Sequence, residues 1–221
     1  MTGKYQTVGE IILELIIPEM GNTLYMLFFT TIFSLFFGVL IAAVMMYTKK
    51  DGLHPNWLCH GFLEISVDVF MSFPFVVLAV ALIPFTRLLI GTSVGKTAAI
   101  VPLTVATTAV FSKFIYDALL DVNEWMVEAA KSFGASGFQI IKIMFREALP
   151  AIVSGTTLSI ITTMGPAAMM GALGAGGIGA VAVLYGFKRN NQLVMLVVVV
   201  VLVIFTQLIQ MAGEFVYKHW R

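Results

Sequence analysis

Residues 91–97, GTSVGKT, carry the residue types of a nucleotide-binding P-loop. A P-loop cradles phosphate groups with its backbone N–H groups, and it needs four residues between its two glycines. Only three residues separate Gly91 from Gly95, and no strand pattern precedes them. We therefore predict no nucleotide site in this segment.

Residues 174–179, GAGGIG, match the G-x-G-x-x-G pattern of dinucleotide-binding folds. Such a site lies between a strand and a helix, with an acidic residue about 20 positions further on. The next acid here is Glu214, and the surrounding segment is apolar. We instead expect these glycines to allow close helix packing, or to leave backbone lining a passage.

The remaining polar residues do not form a catalytic set. His54, His60 and His219 fall near the ends of apolar segments, and no nucleophile lies beside a base within one. Glu64 and Asp68 are one helical turn apart, just before an apolar stretch, and we expect them to be solvated at the membrane surface. A cluster of metal ligands is also missing from the sequence. These patterns predict neither an enzyme nor a metal centre.

The elements that position these residues follow from a very apolar composition. Hydrophobic residues make up 59% of the 221-residue chain and charged residues 11%, and the mean hydropathy is +0.97. A soluble domain has about a quarter charged residues, and it could not cover so much apolar surface. The sequence predicts an all-α integral membrane protein in a lipid bilayer. The net charge of +1 gives no basic face for nucleic acid.

Five apolar runs divide the chain into membrane-crossing helices, each of which needs about 20 residues. One domain over residues 1–221 is predicted, with spans at about 22–47, 60–86, 95–117, 148–172 and 192–216. We expect the second span to be one continuous helix that begins on the membrane surface near Trp57. The uncharged run from Ala148 to Phe187 is too long for one crossing, so its glycine-rich part is expected to stay at or in the membrane.

The distribution of positive charge predicts the orientation of the five spans. Eight of the 13 Lys and Arg residues fall on the side that holds the loops after spans one and three and the C-terminus. The positive-inside rule assigns that side to the cytoplasm. We therefore expect an outside N-terminus, a cytoplasmic C-terminus and a cytoplasmic segment at 119–147.

Residues 119–147 change from a uniformly apolar pattern to that of two short, capped helices. Asp121 and Glu124 have the spacing of a capping box, which predicts a helix beginning after Asp121. Gly134 suits the position after that helix, where a left-handed backbone costs glycine little. Apolar residues recur at spacings of four, three and four and predict one face of the helix: Val122, Met126, Ala129 and Phe133.

A second helix is predicted directly after this turn, because Ser136 and Gln139 form an S-x-x-Q capping box. A helix lying in the lipid headgroups would carry more Lys and Arg and a broader apolar face. The segment instead offers Trp125, Met126 and Phe133 as anchors. These anchors favour docking into a groove of a cytoplasmic partner protein.

At these residues the chain resembles a known family. Residues 128–130, EAA, then three residues and Gly134 are similar to the EAA loop in the membrane subunits of type I bacterial ABC importers. That loop continues with an I-x-L-P sequence. Here residues 143–146, IMFR, stand one residue early, with Arg146 in place of the proline.

The resemblance extends over most of the chain and is strongest to the methionine importer branch. The similar segments are 83–87 (IPFTR), 91–95 (GTSVG), 99–105 (AIVPLTV) and 170–179 (MGALGAGGIG). Two residues depart from that branch: Met71 stands where relatives usually have arginine, and Pro166 stands where an aromatic residue is common.

The resemblance implies the type I ABC importer permease fold, with five spans and a cytoplasmic EAA coupling loop. It implies a permease homodimer in the bacterial cytoplasmic membrane, two cytoplasmic ATPase subunits that bind ATP and magnesium, and an external substrate-binding lipoprotein. The chain itself is then expected to bind no cofactor. Five spans are few to surround a polar passage, which independently favours a two-fold dimer.

Two sets of residues are predicted to carry this function. The residues expected to contact the ATPase are Glu124, Trp125, Met126, Glu128, Ala129, Ala130, Phe133, Gly134 and Ser136. The residues expected to line the substrate path are Thr162, Thr163, Met164, Pro166, Met169 and Met170. Glu128 is expected to pair with a basic residue of the ATPase, and methionine side chains offer soft contacts to a thioether substrate.

Three other functions stay open at this point. The first is an importer for another amino acid or a small organic sulfur compound. The second is a secondary transporter without ATP, which usually shows internal repeats and ionisable groups in mid-membrane. The third is an intramembrane enzyme, which the missing nucleophile–base pair disfavours.

Overall fold

The computed structural model describes residues 7–220, with side chains from 7 to 218, and every regular element within that range is helical. The helices are α1 Val8–Thr48, α2 Trp57–Ser72, α3 Phe75–Ala81, α4 Ile83–Ile90, α5 Lys96–Leu120, α6 Glu124–Ser132, α7 Gly137–Glu147, α8 Leu149–Ala175, α9 Ile178–Phe187 and α10 Gln192–Trp220. Lys4 and Arg221, which entered the charge count, and the side chain of His219 lie outside the described residues. The prediction of an all-α membrane protein is confirmed.

Four helices, α1, α5, α8 and α10, are long and apolar enough to cross a membrane. The pair α2 and α3 is apolar enough when taken together, but the chain bends by 109° between them. The expectation of one continuous second helix is therefore wrong. Proline disfavours a helical backbone in the residue before it, and Phe73, which precedes Pro74, is extended with ψ 131°. We call residues 72–75 the elbow.

Helix α5 is the centre of the bundle. In its most apolar stretch 56% of the residues are buried within the chain, against 17% for α10 at the periphery. Gly38 of α1 allows close approach to α5, because a Cβ there would lie 2.8 Å from the Cβ of Phe111. Ser34 Oγ donates a hydrogen bond to the Thr104 carbonyl at 3.2 Å. Helix α5 therefore gives the other helices a common packing surface.

The glycine-rich segment after α8 forms a compact turn that leads into the short helix α9. Gly174, Gly176 and Gly177 have φ values of 96°, 80° and 83°, a backbone region that side-chain-bearing residues avoid. A Cβ on Gly179 would overlap the backbone of Ala168. Close packing, one of the two roles expected for these glycines, is confirmed. We call residues 171–179 the glycine turn.

Candidate coupling surface and substrate passage

Helix α6 begins two residues later than the sequence predicted. Its N-cap is Asn123, whose Oδ1 accepts a hydrogen bond from the Trp125 N–H at 2.9 Å. The prediction that Asp121 caps this helix is wrong. The backbone of Asp121 is still helical (φ −74°, ψ −8°) and ends α5, whereas an N-cap needs a non-helical backbone.

The turn between α6 and α7 has the predicted chemistry. Gly134 is left-handed with φ 76° and follows the last turn of α6. The Ala135 N–H donates to the Ala130 carbonyl at 3.0 Å and closes the helix end. The Ser136 N–H donates to Gln139 Oε1 at 2.7 Å, and the Gln139 N–H donates to Ser136 Oγ at 3.4 Å. The second capping box is thus confirmed, and it satisfies backbone and side-chain groups at the start of α7.

One face of α6 packs on the bundle and the other is open. Val127 and Ala130 pack against the buried cluster that contains Val122 and Ile140. The predicted coupling residues Glu124, Trp125, Glu128, Ala129, Phe133, Gly134 and Ser136 are exposed, and Met126 and Ala130 are half-buried. Val122, predicted on the apolar face of this helix, is buried.

Three aromatic side chains stand out from this end of the molecule. Trp125 is 78% exposed, Phe133 is 91% exposed and Phe138, which the sequence analysis passed over, is 79% exposed. Exposed aromatic residues on a rigid support are typical of protein interfaces. We call Trp125, Phe133 and Phe138 the aromatic face.

The polar side of α6 lines a cleft of about 430 Å³ with the end of α1 and the loop after it. Glu124, Glu128 and Lys131 face Lys49 and Asp51 across this cleft. Glu128 forms no ion pair or hydrogen bond through its carboxylate within residues 7–218. Its charge is therefore available to a partner.

The predicted path residues of α8 fall on different sides of the helix. Thr163 is buried and its Oγ1 lies 3.2 Å from Thr107 Oγ1 of α5. Met170 is also buried, in a cluster with Leu103. Met164 is partly buried, and Thr206 Oγ1 lies 3.8 Å from its sulfur. These three side chains are engaged in packing within the chain.

Thr162 and Met169 lie on the open face of α8, and Pro166 lies at its edge. The exposed residues follow a helical spacing of four, three and four: Leu158, Thr162, Gly165 and Met169. This stripe includes the hydroxyl group of Thr162 and the thioether of Met169, a residue that is 46% exposed. We call these four residues the α8 stripe.

A polar network at the glycine turn was not predicted. Glu19 Oε2 accepts hydrogen bonds from the Gly177 N–H at 2.5 Å and from Asn22 Nδ2 at 2.9 Å. Thr23 Oγ1 accepts one from the Ile178 N–H at 2.9 Å. The carboxylate therefore caps α9, where the helix dipole also favours negative charge. Its only sequence signal is an acid just before the first uncharged run.

Residues 34–219 match the family described as "Binding-protein-dependent transport system inner membrane component". The chain belongs to this family. It is 40% identical over 202 residues to the probable D-methionine transport system permease protein MetI of Vibrio cholerae, covering 91% of this chain and 90% of the relative. It is 34% identical to the methionine import system permease protein MetP of Bacillus subtilis, over 78% of each chain.

Among solved structures, the chain is similar to one of the MetNI methionine ABC transporter in inward-facing conformations. The TM-score is 0.93, with 36% identity over 96% of this chain and 99% of the other. Both the fold and its family are thereby shown, and the resemblance seen in the sequence is confirmed.

Proposed function

We propose that this chain is the permease subunit of an ATP-binding-cassette importer for methionine. The observation that carries the proposal is the capped α6–α7 unit, which displays the aromatic face on a chain of the inner-membrane transport family. The relatives named above are methionine permeases, which supports methionine as cargo. Another amino acid or a small organic sulfur compound is the alternative cargo.

In this proposal two copies of the chain enclose the passage. Two cytoplasmic ATPase subunits bind ATP and magnesium and drive transport. An external substrate-binding lipoprotein delivers the cargo. The N-terminus lies outside and the C-terminus in the cytoplasm, so that α6 and α7 form the cytoplasmic coupling loop. Five crossings, with α2 and α3 together as the second, satisfy this orientation.

Helices α6 and α7 act as levers between the ATPase and the spans. Three residues separate α5 from α6, and only Ala148 separates α7 from α8. The cap at Asn123 stiffens the first of these joints, and the cap at Ser136 stiffens the turn between α6 and α7. Closure of the ATPase subunits therefore moves α5 and α8 as rigid bodies and opens the passage to alternate sides.

Each coupling residue has a distinct contribution. Trp125 and Phe133 fill a groove of the ATPase, with Met126 at the edge of the contact. Glu128 pairs with a basic residue of the ATPase, since its carboxylate is exposed. Gly134 permits the turn. The others, Glu124, Ala129, Ala130 and Ser136, shape and cap the two helices.

The α8 stripe provides the chain's contribution to the substrate path. Thr162 offers a hydroxyl and Met169 a polarisable sulfur at the open surface, and a thioether side chain suits soft contacts of this kind. A second copy would place its own stripe opposite. Thr163, Met164 and Met170 hold α8 in position from behind, with Pro166 at the boundary.

Reconstitution tests the proposal. The chain is incorporated into proteoliposomes with its ATPase and binding protein, and ATP-driven uptake of labelled methionine is measured. Excess unlabelled methionine should abolish the uptake, while unrelated amino acids and small organic sulfur compounds should leave it unchanged. Stronger competition by one of those compounds would reassign the cargo and overturn methionine.

A further inference from the structure

Asp68 lies deeper in the bundle than the sequence predicted. At the start of α2 the His60 ring lies 5.8 Å from the ring of Tyr116, near the end of α5. Helix α2 packs on α5, and Ala79, further along the chain, lies in a buried cluster with Ala99 and Leu103 near the start of α5. The segment from α2 to α3 therefore runs opposite to α5. Asp68 is eight residues after His60, which is about 12 Å along the axis. It therefore lies level with the middle of the 25-residue α5.

The side chain of Asp68 is exposed, and its carboxylate has no hydrogen bond or ion pair among the described side chains. Its exposed neighbours Ile65 and Val69 are apolar. An ionised carboxylate facing hydrocarbon at this depth is costly, and such groups normally face a water-filled cavity or an opposite charge.

The elbow gives independent evidence for a wet surface. Ser72, Phe73 and Pro74 are all exposed, and the helical hydrogen-bond ladder is interrupted there. Non-helical backbone at membrane depth is tolerated only where protein covers it or where it lines an aqueous cavity. Asp68 and the elbow share one groove of about 380 Å³. Two features that lipid does not tolerate thus point into the same space.

This groove adjoins the helix that carries the proposed path. Phe75, the last residue of the elbow, packs against the same buried cluster as Met164 of α8. Helix α3 also packs on α8. Asp68 is therefore close to the bundle region from which the α8 stripe faces outward.

Three Lys and Arg residues of the apolar segments already have partners within this chain. Arg87 and Lys96 lie near helix ends, and Lys113 lies two turns before the end of α5. Arg87 donates to Ser93, Lys96 to Asn22, and Lys113 pairs with Asp117. A mobile cation in the passage would supply the counter-charge without using any of these side chains.

We propose that the Asp68 carboxylate binds the ammonium group of an α-amino-acid cargo as it crosses the membrane. This deepens the function proposed above and rests on it. The site needs an amino group and is indifferent to the cargo side chain, which would contact the α8 stripe. Charge-assisted hydrogen bonds of ammonium to carboxylate are the strong class.

The first test compares Asp68→Asn with Glu64→Gln, a matched carboxylate one turn earlier on α2. In proteoliposomes holding the full transporter, Asp68→Asn should lower ATP-driven methionine uptake about tenfold or more. Co-purification of the ATPase subunits with the variant checks that it assembles. Asp68→Glu should restore part of the uptake, and Glu64→Gln should retain the wild-type rate. Wild-type uptake by Asp68→Asn would overturn the inference.

The second test uses the unmodified chain, so it decides the question even if Asp68→Asn fails to assemble. The complex is treated with dicyclohexylcarbodiimide, and modification of Asp68 is followed by peptide mass spectrometry. Methionine should slow labelling of Asp68 several-fold, whereas 4-(methylsulfanyl)butanoate, which lacks the amino group, should not. Labelling of Glu64 should be the same throughout. Equal rates with and without methionine, or no labelling of Asp68, would refute the site.

The two proposals can fail separately. If the wild-type transporter takes up no methionine, the proposed cargo is wrong, and the Asp68 comparison is repeated with the amino acid that it does take up. If methionine is taken up equally by wild type and Asp68→Asn, only the inference about Asp68 fails.

Discussion

The two glycine-bearing turns of this chain differ in what surrounds them. Around Gly134, in the α6–α7 turn, no atom lies within 4 Å of where a Cβ would stand. In the glycine turn, Gly171 and Gly179 are buried against backbone. Glycine is required at position 134 because φ is 76° there. At positions 171 and 179 it is required because a side chain would have no space. Gly134 thus belongs to a surface that lacks its partner, and the glycine turn is a completed internal joint.

The surroundings of the two turns distinguish an interface from internal packing, whereas their residue types do not. Both turns follow a helix and both carry apolar neighbours. Only the aromatic face leaves large rings exposed on a rigid support, and only the glycine turn has its backbone donors bound by Glu19 and Thr23. Changes at the first should therefore affect coupling, and changes at the second should affect stability.

The largest effect is expected for Gly179→Ala. The added methyl group would overlap the Ala168 backbone, which cannot yield without separating α8 from α9. We expect a loss of about 3 kcal/mol or more in unfolding free energy, seen as a lower Tm in detergent. Gly21→Ala, in the open part of α1, is the control and should not lower Tm. Equal Tm values would mean that the joint is loose.

Next is the double substitution Trp125→Ala with Phe133→Ala. Both rings are exposed, so Tm should be unchanged, while lost anchors weaken the ATPase contact by about 2 kcal/mol or more. We expect uptake and co-purification of the ATPase to fall together. Trp57→Ala removes another exposed ring, 80% accessible, on α2, and should have no effect. A lowered Tm with normal coupling would reverse the roles assigned to the two turns.

A smaller effect is expected for Glu19→Ala. The Gly177 N–H would lose its acceptor, and a buried donor without a partner costs about 1–3 kcal/mol. Glu19→Gln keeps an acceptor oxygen and should lose less. Thermal unfolding of the two variants in detergent measures the difference. Identical curves for wild type and Glu19→Ala would show that the glycine turn is held by packing alone.

The smallest effect is expected for Gly134→Ala. With free space around it, the only cost is the left-handed backbone, about 1–2 kcal/mol. Gly134→Asn should cost less, because asparagine tolerates this conformation. Transport and Tm should both decline only slightly for alanine. A loss as large as that of Gly179→Ala would show that Gly134 is sterically confined, contrary to the structure.

Local chemistry was the part of the fold best predicted from sequence. The turn at Gly134 and the capping box at Ser136 depend on residues a few positions apart, so the sequence alone predicts them. The position of Asn123 was missed, because Asp121 is an equally good N-cap by type. The end of α5 decides between them, and α5 ends where its packing ends.

Features that depend on tertiary contacts were not predictable. The elbow was missed because proline inside an apolar run is tolerated in membrane helices, so Pro74 alone does not reveal a bend of 109°. For a similar reason, the predicted path residues of α8 included both buried and exposed side chains. Its residues are almost uniformly apolar, and only contact with α5 shows that Thr163 and Met170 point inward while Met169 points outward.

The central claim is that a separate ATPase drives this chain through α6 and α7. The most direct measurement is the initial rate of labelled methionine uptake into proteoliposomes under two conditions. One has the ATPase, the binding protein and ATP on the ATPase side; the other has a proton or sodium gradient and no ATPase. We predict uptake only in the first condition. Uptake in the second would contradict the account.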